Sequence, residues 1–124
     1  MEKSFKIMVT LFVLLVGSLF AVEVFSLPKV TPELKEEAQE YYNNECKACH
    51  RWARKFAAPP MQENVSHYAE KPEEMVQYLM HPTPKHPEIW PPMEITPLTE
   101  DQAKMMTAWL LYILSNPEDP GRPK

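Results

Sequence analysis

Cys46-Lys47-Ala48-Cys49-His50 is the stretch on which the reading of this chain turns. Two cysteines with two residues between them, followed directly by histidine, have the spacing of a c-type haem attachment site. Each thiol can add its S–H across one vinyl group of a haem, which gives two thioether bonds. The backbone between the cysteines must turn tightly, and the next side chain then lies under the iron. An imidazole in that place supplies the proximal ligand, so His50 is the candidate.

Three plainer readings compete. A CxxC pair can be a redox dithiol, but that role belongs with a βαβ context, and no strand pattern surrounds residues 46–49. Structural zinc takes four ligands, commonly from a second pair. The chain has no other cysteine, and His67, His81 and His86 form no paired motif. A simple disulfide leaves His50 unexplained.

The N-terminal side agrees with a haem destined for export. Lys3 and Lys6 precede an apolar run from Ile7 to Val22, broken by Thr10, Gly17 and Ser18. Val24-Phe25-Ser26 then suits cleavage, so residues 1–26 read as a signal peptide. The alternative is an uncleaved anchor, although the run is short against the roughly 20 residues of a full span. Either way residues 27–124 form one domain, delivered outside the cytoplasm and expected in the periplasm. The net charge is −4 with or without the first 26 residues, which carry two charges of each sign. That balance argues against nucleic acid as a partner. So short a chain builds a marginal core from its own side chains, and a buried haem would add apolar mass.

The remainder reads as helices joined by proline-rich loops, with no sheet. Thr31-Pro32 caps a first helix, with Pro in the position where its missing N–H does no harm and Glu33, Glu36 and Glu37 near the positive end of the dipole. Leu34, Ala38 and Tyr41 or Tyr42 make its apolar face, and the helix leads directly into Cys46. Pro72 opens a second helix with Met75, Val76, Leu79 and Met80 as a stripe, ended by Pro82. Thr99 and Gln102 form a capping box for a last helix lined by Ala103, Met106, Leu110 and Ile113, widened by Trp109 and Tyr112 and stopped by Pro117. Between these two helices, residues 81–98 carry prolines at 82, 84, 87, 91, 92 and 97, which excludes helix or central strand. Such a loop is stiff and loses little entropy on folding. A stiff loop bearing Met93 suits the sixth position of a haem iron.

On these residues the chain resembles the small bacterial class I cytochromes c, which are monohaem electron carriers. The likeness covers about residues 30–116. Tyr41 stands five residues before the first attachment cysteine. Ala58-Pro59 falls where the family has Gly-Pro, and Met93 stands six residues before the Thr99 cap. Trp90 lies shortly before Met93. The resemblance implies an all-α fold of about three to five helices around one covalently attached haem c, with a proline-rich ligand loop. It implies Cys46 and Cys49 as the covalent attachments, His50 and Met93 as axial ligands, Pro59 as the region accepting the second N–H of His50, and Trp90 beside a propionate. The chain departs from the family where Asn44-Glu45 replaces a usual glycine; asparagine tolerates a left-handed backbone at modest cost. Glu94 follows Met93 where the family often has proline.

Other side chains compete for the sixth position. Met61 follows two prolines, and His81 and His86 lie in or beside the stiff loop. His67 is expected on a surface turn. Met75, Met80, Met105 and Met106 fall at helical spacing and read as core. Lys47, Arg51, Arg54 and Lys55 cluster around the attachment site, either as a solvated face or as a steering patch for an acidic redox partner. The expected function is electron transfer between periplasmic or membrane redox partners, without catalysis, by a monomer that touches the membrane only if residues 1–26 persist. A haem subunit of a dehydrogenase or oxidase, or a haem sensor with an open sixth site, are the alternatives.

Overall fold

Thr31 turns the chain into its first helix: its Oγ1 accepts the Leu34 N–H at 3.2 Å, which satisfies one of the donors that a helix start leaves unpaired. The computed structural model describes residues 23–84, 88–89 and 96–124. Helix α1 spans Pro32–Tyr41 and passes without a break into a π-helical segment, Tyr42–Cys46. Helix α2 spans Met61–Tyr68, α3 Pro72–Met80 and α4 Glu100–Ser115. Among the described residues there is no strand, and the all-α expectation holds.

Helix α4 is the centre of the molecule. Its start carries the expected capping box, with the Gln102 N–H donating to Thr99 Oγ1 at 3.3 Å and the Thr99 N–H donating to Gln102 Oε1 at 3.0 Å. Residues 105–110 are all buried, so at this depth the helix has no solvent face. It packs against α1, α2 and α3. A single amphipathic stripe would serve only one neighbour; this helix serves three.

The crossing of α1 and α4 depends on size. Ala38 is fully buried, and its small side chain allows a close approach. One turn later, Tyr42 meets Trp109 edge to face, with centroids 5.8 Å apart, a favoured geometry for two aromatic rings. Of the two tyrosines that the spacing offered, Tyr42 is the buried one, and Tyr41 lies at the margin of the core.

The C-terminal tail is fastened to the same corner. The Lys35 Nζ donates to Tyr112 Oη at 2.7 Å and to Asp119 Oδ2 at 2.9 Å. Tyr112 Oη also donates to Asp119 Oδ2 at 3.0 Å, and the Gly121 N–H to Asp119 Oδ1 at 2.8 Å. Donors from α1, α4 and the tail thus share one carboxylate.

Two expectations are corrected. His67 lies in the last turn of α2 rather than on a surface turn, exposed and edge to face with Tyr68 at 5.1 Å. Asn44 lies inside the π-helical segment instead of taking a left-handed turn. The π geometry absorbs one residue more per turn, so the chain reaches Cys46 without a reversal.

Candidate haem site

The attachment turn is built on the carbonyl of Cys46. The π segment closes with the Lys47 N–H donating to the Tyr42 carbonyl at 2.9 Å. The N–H groups of Cys49 and His50 then both donate to Cys46 O, at 3.2 Å and 3.0 Å. The chain therefore coils tightly enough to hold the two cysteines near each other, yet both remain free thiols. Both are half-buried.

Past His50 the chain is tied to α2. The Met61 N–H donates to Arg51 O at 2.8 Å and the Gln62 N–H to Trp52 O at 3.0 Å. Those two carbonyls satisfy donors at the start of α2, which has no side-chain cap of its own, and helix starts need such acceptors. Trp52, only 4% exposed, anchors this stretch in the core, with Met61 and Val65 among the other members. Met61, one of the rivals for the sixth position, thus packs in the core.

Electrostatics separate this site from a redox dithiol. Burial, then the nearby Glu45 and Cys49, pushes the Cys46 thiol up to about 11. A reactive dithiol needs the opposite, a thiol lowered towards neutrality. At neutral pH Cys46 keeps its proton. Nor does any group of three or more His, Cys, Asp or Glu stand placed to hold a metal ion among the described residues.

His50 is half-buried, and burial lowers its pKa, which keeps the imidazole neutral and able to bind iron through nitrogen. Its Nδ1 is buried without a hydrogen-bond partner. It does not make the bond to the Pro59 region that the sequence leads us to expect. A half-buried imidazole with an orphaned Nδ1, directly after two free thiols, is a donor set that fits a covalently held haem.

The remaining expected residues divide by position. His81 caps the end of α3 and is exposed. Met93, Trp90 and His86 lie outside the described residues, as does the apolar run of residues 7–22 within the expected signal peptide. The sequence places Arg51 in a surface charge cluster, but the structure folds it back onto the turn. It donates to the carbonyls of Lys47 and His50. A cation directly after a tight turn with free carbonyls was the available signal.

A small helical domain with a CxxCH turn and a half-buried histidine defines a covalent haem-binding protein. The cytochrome c family model matches residues 35–113, well over half of the chain. The chain belongs to the cytochrome c family, with the class I fold and one covalently bound haem c as cofactor, for which Cys46 and Cys49 fit the attachment. No curated protein and no solved structure matches it significantly. The family's role is electron transport, and its domains typically work outside the cytoplasm. Among the described residues no helix is long and apolar enough to cross a membrane.

Proposed function

We propose that this chain is a monomeric, periplasmic electron carrier that shuttles between redox proteins, with His50 and Met93 as its axial ligands and residues 1–26 as the export signal. The observation that carries the reading is the buried, unpartnered Nδ1 of His50, directly after two free thiols. The haem supplies a one-electron couple, its iron passing between ferric and ferrous. The chain's own residues do the rest. Cys46 and Cys49 fix the group covalently, and His50 presents its imidazole from the turn held by Cys46 O. Methionine in the sixth position raises the potential relative to a second histidine and closes the iron to small molecules. Trp90 stands beside a propionate in this reading.

The exposed Lys47 and Arg54 beside the turn favour an acidic partner surface, whose attraction would speed association at low salt. The test is spectroscopic. The oxidised holoprotein is expected to show the weak red charge-transfer band of a methionine-ligated ferric haem, and the reduced form to resist carbon monoxide. Met93→Ala is expected to abolish the band and admit carbon monoxide. An unchanged spectrum in that variant, with the same change produced by His81→Ala or His86→Ala, would transfer the sixth position to that histidine.

A further inference from the structure

Arg51 belongs to the basic cluster in the sequence, yet its side chain turns towards the attachment turn instead of solvent. Its Nη1 donates to the carbonyls of both Lys47 and His50, the latter at 2.9 Å. The guanidinium also meets Phe56: the Arg51 Cζ lies 4.2 Å from the ring centroid, within the range of cation–π attraction. Phe56 is 49% exposed, an unusual place for a phenyl ring. Its backbone is fixed by the bond to Ala58 O, and the backbone of Arg51 by the bond from Met61. Both ends of the contact are therefore held.

The position of the two carbonyls matters more than their number. Lys47 O and His50 O stand on either side of Ala48 and Cys49 in the chain. Fixing both constrains the direction in which Cys49 and His50 leave the backbone. The α1–π segment also has no basic residue in its last turn, where a cation favours the negative end of the helix dipole. Arg51 supplies one from beyond the turn.

We propose that Arg51 is a positioning residue for haem attachment and proximal ligation: its guanidinium clamps the carbonyls of Lys47 and His50 and is braced by the Phe56 ring. The inference rests on reading His50 as the proximal ligand. A lysine keeps the charge but lacks the planar fork and stacks less well, so charge and clamp are separable.

The experiment compares holoprotein of the wild type, Arg51→Lys and Arg51→Gln. Amide hydrogen exchange is read at Cys49 and His50, whose N–H groups bond Cys46 O, together with the reduction potential. Exchange at these two amides is expected to rise about tenfold or more in both variants, the scale of a lost charged hydrogen bond, while exchange in α4 stays unchanged. The potential is expected to fall in Arg51→Gln, because a nearby positive charge favours ferrous iron, and to fall less in Arg51→Lys. Wild-type exchange in Arg51→Lys would overturn the clamp, and so would an unchanged potential in Arg51→Gln. Failure of the underlying reading looks different: His50→Ala would keep the wild-type haem spectrum, whatever the exchange data show.

Discussion

Burial sets the chemistry of the side chains around the attachment turn. It raises Cys46 to about 11 and Tyr42 to about 12, and lowers His50. Each shift favours the uncharged form, and for Cys46 it concerns the thiol before the haem is attached. Thr107 belongs with them in one respect: it is fully buried in α4, and its Oγ1 has no hydrogen-bond partner. A buried hydroxyl without a partner costs free energy that an isosteric apolar group does not. Thr107→Val is therefore expected to hold or raise stability by about 1 kcal/mol, measured by urea unfolding of the holoprotein. A loss of that size instead would show that the hydroxyl has a partner. Much at this scale was legible beforehand. The CxxCH spacing is local and chemical, so Cys46, Cys49 and His50 could be read directly. The inward fold of Arg51 could not, because it depends on where the Phe56 ring lies.

Helix starts carry separable contributions. Thr99→Ala removes one half of the capping box of α4 and is expected to cost about 1 kcal/mol, seen as a lower urea midpoint. Indifference to the change would mean that the buried face alone holds the helix start. The tail carboxylate gives a pH signature. Hydrogen bonds from Lys35 and then Gly121 hold Asp119 below the usual aspartate range. Its contribution is present above the unfolded value of about 3.9 and is lost as pH falls through the lower folded value. Lys35 is raised, first by Tyr112 and then by Asp119, so its share is lost only as pH rises through a value above the usual lysine range. Asp119→Asn is thus expected to be less stable than wild type at neutral pH, with the gap closing in acid. A gap independent of pH would refute the pairing. Three helices announced themselves through Thr31-Pro32, Pro72 and Thr99. Helix α2 did not, because its start is satisfied by the carbonyls of Arg51 and Trp52. Its Met61, Val65 and Tyr68 spacing was the one signal in the sequence that could have revealed it.

At the scale of the molecule, one helix carries the packing of the other three. Trp109 is 1% exposed at the crossing of α4 with the α1–π segment. Trp109→Ala is expected to cost about 3–5 kcal/mol, a large share of the roughly 5–15 kcal/mol typical of a domain. Chemical denaturation of the holoprotein checks this, and a cost under about 1 kcal/mol would show that the crossing is not central.

The wide turn at Tyr42–Cys46 sets the phase of everything after it. Each α-helical residue advances the chain by about 100° around its axis. Were the same five residues wound as an ordinary α-helix, with none removed, the first sulfur would swing by up to about 100° while Tyr42 stayed seated on Trp109. The attachment turn itself would survive such a rewinding, but its two sulfurs would point elsewhere relative to α4.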